Sequence, residues 1–229
     1  MSIEPNVGPS LEGLGRRFRL VCAKIEIAGR HYEFFRPHSA DDLISEEEFD
    51  RDERLPYWAD LWASSIVLAE RVAAEAGSRR SLLELGCGIG LVATVAASVG
   101  FEVTATDYYA DALDFTRLNT RHNRQQFCAT RLVDWRGFPA DLGRFDLVVA
   151  SDVLYEPRNV PLVAAALETT LTPSGLGLVT DPQRRHAMLF PDECRRRKLQ
   201  CGRAAAIQID RDGVRQTIDL FEIRPTSIP

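Results

Sequence analysis

Glu84-Leu85-Gly86-Cys87-Gly88-Ile89-Gly90 lies between a short apolar run, Ser81–Leu85, and a longer apolar segment, Leu91–Val99, which Gly100 ends. The first run reads as a buried strand and the second as a helix. Glycines in a turn between strand and helix let the backbone pass close to a ligand, and the first N–H groups of the helix then face it. The next strand, Phe101–Thr106, runs into Asp107, about 20 residues on, where a carboxylate can accept both hydrogen bonds of a ribose diol. The spacing argues against a nicotinamide dinucleotide. That fingerprint, Gly-x-Gly-x-x-Gly, needs a third glycine at the position of Leu91. Glu84 would repel a pyrophosphate and suits a ligand carrying positive charge.

Working outward, strands and helices alternate. Ala110–Asn123 reads as a helix, Thr130–Val133 and Phe145–Ala150 as strands, Val160–Leu171 as a helix and Gly177–Thr180 as a strand. His186–Leu199 reads as a helix bent or split at Pro191. Ala204–Ile209 and Val214–Ile223 flank Asp212-Gly213, a hairpin signal. Upstream, Pro56 opens a pattern of apolar residues at three- and four-residue steps from Trp58 to Ala76, read as one helix stopped by Gly77. Phe18–Ile27 and His31–Phe35 around Ala28-Gly29 read as a second hairpin. Residues 1–15 read as a loose lead-in whose removal is harmless, and Asp41–Arg54 as charged surface. The expected fold is α/β: a Rossmann-like, seven-stranded, mainly parallel sheet with a C-terminal antiparallel hairpin and helices on both faces. Residues 1–55 form an extension with an N-terminal β-hairpin, and residues 56–229 form the Rossmann-like domain.

Composition narrows the class. The chain has 229 residues and a formal charge of -5, which disfavours a nucleic-acid partner, and the basic run Arg195–Lys198 reads as a solvated helix face. Its 5 cysteines include no Cys-x-x-Cys pair and its 4 histidines do not cluster with them, so no metal site and no disulfide framework are expected. No signal pattern opens the chain and no apolar run reaches the ~20 residues of a membrane span, giving an expectation of a cytoplasmic monomer without membrane contact.

Glu84–Gly90, Asp107 and the final hairpin together resemble the class I, seven-β-strand methyltransferases that use S-adenosylmethionine. That donor has no phosphate and carries a cationic amino group and a sulfonium. A narrower resemblance is to methyltransferase family 16, which includes protein-lysine methyltransferases. It rests on Pro56-Tyr57-Trp58-Ala59-Asp60-Leu61-Trp62, on Asp134-Trp135, and on Asp152-Val153-Leu154-Tyr155, which fits the family's Asp-x-x-Tyr signature. One departure is Ala63, where family members often have proline. The resemblance implies that Trp62 flanks the donor, that Gly86, Cys87 and Gly88 face its methionine part with Glu84 beneath, and that Ser151 joins them from the fourth strand. It further implies that Asp107 binds the ribose, that Tyr108, Asp134 and Trp135 enclose the adenine, and that Asp152 and Tyr155 are catalytic and line the acceptor channel.

Each residue has a plainer reading. Trp58 and Trp62 suit a helix's core stripe, Trp135 could cap the sheet, Cys87 could be a small residue fitting the turn, and Asp152 or Asp181-Pro182 could serve a turn alone. The reaction implied is methyl transfer to a protein, most simply to lysine, whose free amine is neutral in roughly one molecule in 2,500 at pH 7. Desolvation in an apolar channel raises that fraction, and an ionised Asp152 opposes it. The N-terminal segment 16–54 is expected to pack beside the acceptor channel and to help choose the substrate. Alternative readings are a small-molecule N-methyltransferase and a non-catalytic S-adenosylmethionine-binding protein.

Overall fold

Short runs of apolar, β-prone residues form the centre of a sheet when both faces are covered, and Ser81–Leu85 and Phe145–Ser151 do so here. The computed structural model describes residues 8–40, 43, 56–75, 80–124, 128–211 and 213–226. The sheet strands are β3 (Ser81–Leu85), β4 (Glu102–Asp107), β5 (Ala129–Leu132), β6 (Phe145–Ser151), β7 (Leu171–Asp181), β8 (Leu199–Arg211) and β9 (Val214–Pro225). Their order is β5-β4-β3-β6-β7-β9-β8, parallel from β5 to β7, with β9 antiparallel to both β7 and β8. The order reverses between β3 and β6, and the crevice beyond the carboxyl ends of those strands is where an open α/β sheet binds ligands.

Six α-helices are described: α1 (Leu11–Gly15), α2 (Ala63–Ala73), α3 (Leu91–Ser98), α4 (Ala110–Arg124), α5 (Asn159–Thr170) and α6 (Phe190–Arg196). Two apolar clusters sit on opposite faces of the sheet. One gathers α2, α3 and α4 with Leu82, Leu147 and Leu178; the other gathers α5 and α6 with Leu83, Val148 and Val179. The alternation of Leu82 and Leu83 between the clusters is the period-two rule of a strand buried on both sides.

Two elements depart from expectation. The segment after Pro56 is not one helix: Tyr57–Ala59 is a 3-10 turn, Asp60 and Trp62 are extended, and α2 starts only at Ala63. Helix α5 ends at Thr170 and β7 begins at once, its pairing with β6 shifting register between Phe145 and Leu147. That irregularity accommodates Pro173, which cannot donate to a ladder. The segment 186–199 does split, into a 3-10 turn at Arg185–Leu189 and α6, with Pro191 in the first turn of α6 where no N–H is needed. Residues 44–55, 76–79 and Asp212 lie outside the described residues, so the charged segment Asp41–Arg54 and the Gly77 stop are not described.

The extension is integral to the core. Strands β1 (Leu20–Ile27) and β2 (Arg30–Pro37) form the expected hairpin. It lies on the helical layer, with Tyr32 and Phe34 buried against α3 and α4. No described residue of the hairpin lines the cleft below; of the segment 16–54 expected beside the acceptor channel, residues 41–42 and 44–54 lie outside the described residues. The lead-in was misjudged: Ser10 caps α1 by accepting from Gly13 N at 3.0 Å, and Leu14 is only 2% exposed. Leu14→Ala is therefore expected to cost about 2–4 kcal/mol, read as a lower urea midpoint at unchanged m.

Candidate active site

The ends of β3, β4 and β6 open onto a cleft of ≈ 970 Å³, counting its solvent-filled mouth. On the β3 side the glycine turn is pinned to its neighbour: Gly86 N and Cys87 N both donate to Thr106 O at 2.9 Å. Gly86 and Gly88 face the cleft, both with positive φ, as expected. Trp135 closes over Gly86, near enough that a Cβ there would meet the indole Cζ2 at 3.5 Å. Cys87 borders the cleft, but its thiol accepts from Thr116 Oγ1 at 3.2 Å and is pushed well above the usual thiol range by burial. That side chain is packing.

Glu84 is 1% exposed yet borders the cleft. Burial holds its pKa well above the ordinary carboxylate value; an N–H bond from Ala93 works the other way, and the charge of Asp107 adds to the rise. Among the described residues its Oε2 has no hydrogen-bond partner. A buried carboxyl oxygen without a donor is costly, and a ligand ammonium would satisfy it. Asp107 ends β4, with Oδ2 accepting from Gly88 N at 2.9 Å and Oδ1 from Tyr109 N at 3.0 Å. An ionised carboxylate is an acceptor only, the chemistry a ribose diol requires.

At the adenine end, Tyr108 lies under the Arg136 guanidinium, 5.7 Å from its ring centroid. Asp134 does not line the cleft. It caps the Trp135–Gly137 turn through Arg136 N at 2.9 Å and grips the Arg136 side chain with both oxygens.

Opposite the glycine turn, Ser151 ends β6 and Asp152 follows it, taking a left-handed φ of 55° that aims its side chain back into the cleft. Tyr155 meets Tyr57 edge-to-face at 5.4 Å, and Tyr57 meets Trp62 at 6.0 Å. Trp62 thus joins the aromatic group near Asp152, its indole Nε1 donating to Tyr57 O at 2.8 Å. Sequence reasoning missed two contributors. Tyr57 stands within the Pro56–Trp62 motif, where its residue type alone gives no sign of the cleft. Arg184, which binds Asp152 Oδ1 through Nε at 2.7 Å, is 32 residues away in the chain and had no local signal.

Asp181, for which a turn alone was one reading, is fully buried and accepts from Arg184 N at 2.6 Å, while its Oδ2 lacks a partner among the described residues. Burial raises its pKa to about 6, against the opposing bond from Arg184 N. A carboxyl with a raised folded pKa contributes stability that is complete below its unfolded pKa, near 4, and fades as pH rises through about 6. Asp181→Asn is expected to flatten this part of the stability profile, seen in urea midpoints taken between pH 4 and pH 8.

The strand order and the cleft at its switch point are those of the class I, S-adenosylmethionine-dependent methyltransferase fold. A methyltransferase-domain family model matches residues 57–212, and the chain belongs to that family. It is 34% identical over 125 residues to the protein N-lysine methyltransferase METTL21A of Danio rerio, covering 50% of this chain and 56% of that one. It is 31% identical over 130 residues to EEF1A lysine methyltransferase 3 of Mus musculus, covering 53% and 54%. The chain thus spans about half the length of the curated relatives it matches. A methyltransferase from Agrobacterium tumefaciens shares the fold at a TM-score of 0.62 and 15% identity, over 90% of this chain and 70% of that one. The T. thermophilus 16S rRNA methyltransferase RsmC, solved with AdoMet and guanosine, shares it at 0.61 and 14%, over 90% and 50%. No helix among the described residues is long and apolar enough to cross a membrane.

Proposed function

We propose that the chain transfers a methyl group from S-adenosylmethionine to a lysine side chain of a protein. One observation carries the reading: a single cleft joins a buried carboxyl whose Oε2 lacks a donor among the described residues, Glu84, to a carboxylate walled by aromatic rings, Asp152. The first suits the ammonium of the donor and the second an amine acceptor. When bound, S-adenosylmethionine supplies a methyl group already activated on sulfur. The work left to the chain is alignment, which can contribute ~7–11 kcal/mol. Glu84, Gly86, Gly88 and Asp107 hold the methionine and ribose parts, with Tyr108 and Trp135 at the base. Tyr57, Trp62 and Tyr155 desolvate the acceptor and so favour its neutral form, and Asp152 orients its lone pair. The curated relatives named as lysine methyltransferases support this acceptor. So do Met188 and Leu189, 80% and 56% exposed just beyond Arg184, which offer contact area to a polypeptide. The free thiols support a reducing, cytoplasmic setting.

The test is calorimetric titration with S-adenosylmethionine, S-adenosylhomocysteine and NAD, followed by transfer of a tritiated methyl group into a cell lysate. Binding of the first two ligands, with label recovered as methyllysine after acid hydrolysis, is expected. Label confined to small molecules would instead establish the metabolite N-methyltransferase. Binding of NAD alone would remove the donor assignment.

A further inference from the structure

The turn that follows β7 is built around an arginine that the chemistry above does not use. Asp181 ends the strand and takes the N–H of Arg184. Gln183 between them stands at a left-handed φ of 62°, its amide donating to Asp219 Oδ1 on β9 at 3.1 Å. Asp152, also left-handed, has its N–H held by Thr180 O at 2.9 Å. Side chains rarely adopt such φ values without a structural reason. Here two of them converge on one contact, Arg184 Nε to Asp152 Oδ1 at 2.7 Å. The guanidinium also sits 5.9 Å over the Trp62 ring, and the Ser64 hydroxyl lies 3.4 Å from the other Asp152 oxygen. Burial works against the charge of Arg184, yet Asp152 and Asp181 outweigh it and hold the guanidinium protonated.

Both reactants of the proposed transfer are cations in their resting forms, a sulfonium donor and an ammonium acceptor. A lone carboxylate beside them would stabilise both. It would keep the acceptor protonated, a ground state that must give up its proton before the nitrogen can take the methyl group, and it would hold the cationic donor by charge before any acceptor arrives. Binding energy of that kind slows the chemical step. We propose that Arg184 is a positioning residue that neutralises Asp152, so that the carboxylate orients the acceptor without trapping either cation. This rests on reading the cleft as the donor site with Asp152 at its reacting end.

The test needs no acceptor. Affinities for S-adenosylmethionine and S-adenosylhomocysteine, which differ by the methyl group and its charge, are measured by calorimetry at pH 8 and low salt, above the titration of Asp181. The proteins are wild type, Arg184→Gln, Arg184→Lys and the double variant Asp152→Asn/Arg184→Gln. The ratio Kd(homocysteine product)/Kd(donor) is expected to rise roughly three- to tenfold in Arg184→Gln, a range set by one unpaired charge at partly screened distance. It should stay near wild type in Arg184→Lys and return to wild type in the double variant, where both charges are gone. A merely structural role would weaken both ligands together and leave the ratio alone. An unchanged ratio in Arg184→Gln, or a shift that persists in the double variant, overturns the inference about Arg184. Wild-type protein that binds neither ligand overturns the donor site itself.

Discussion

Gly90→Ala is expected to lower the melting temperature by about 6–12 °C and to abolish donor binding, through the glycine turn that borders the cleft. Gly90 precedes α3 at a φ of 83°, and a Cβ there would fall 2.7 Å from Thr116 Cα on α4. The obstacle is backbone, so no rotamer change relieves it. Left-handed strain and overpacking together come to about 3 kcal/mol. Thr116 also donates to Gly88 O at 3.0 Å, so moving α4 outward pulls on the face of the turn that meets the ligand. Gly213, with a φ of 76° and nothing within 4 Å of its virtual Cβ, provides the control. Alanine there should cost only the conformational strain and leave donor affinity alone. A Gly90→Ala protein that melts within two or three degrees of wild type and binds the donor would show that α3 and α4 separate easily, against the close packing described here.

Asp107→Ala should weaken S-adenosylmethionine binding at least ~100-fold, because two losses coincide. The ribose diol loses its acceptor, and the N–H groups of Gly88 and Tyr109 lose the carboxylate that fixes them. Hydrogen bonds to a charged group contribute about 1.5–3 kcal/mol each. Asp107→Asn, which keeps one acceptor oxygen in place, should fall between. Calorimetry on the three proteins gives the ordering, and an alanine variant binding within about threefold of wild type would remove Asp107 from the donor site.

Glu84 and Asp107 were readable in the sequence because each follows directly from a strand end, where neighbours in the chain are neighbours in space. The same holds for Asp152, placed by β6 alone. What each carboxylate meets was less readable. Asp134 carries the right chemistry for an adenine, but Arg136, two residues on, takes both its oxygens. Arg184 reaches Asp152 only because Gln183 adopts a backbone conformation that no residue pattern announces. The aromatic segment after Pro56 misled for another reason. Trp58 and Trp62 four residues apart imitate a helical stripe, whereas a 3-10 turn and an extended residue bring them to the cleft together. At the amino end, low-complexity punctuation by Pro5, Gly8, Pro9, Gly13 and Gly15 concealed Leu14, whose burial depends on α1 alone having somewhere to dock.

The hairpin β1–β2 meets α4 through two asparagines that imitate a strand. Asn119 accepts from Phe35 N at 2.8 Å and donates to Phe35 O at 2.9 Å, and Asn123 does the same for Glu33 at 3.0 and 2.9 Å. These partners stand 84 and 90 positions further along the chain. During synthesis at about 5–20 residues per second, the edge of β2 therefore waits roughly 4–18 s for the side chains that cover it. Over that interval it is an open strand edge on a nascent chain, available to any other extended segment that arrives first.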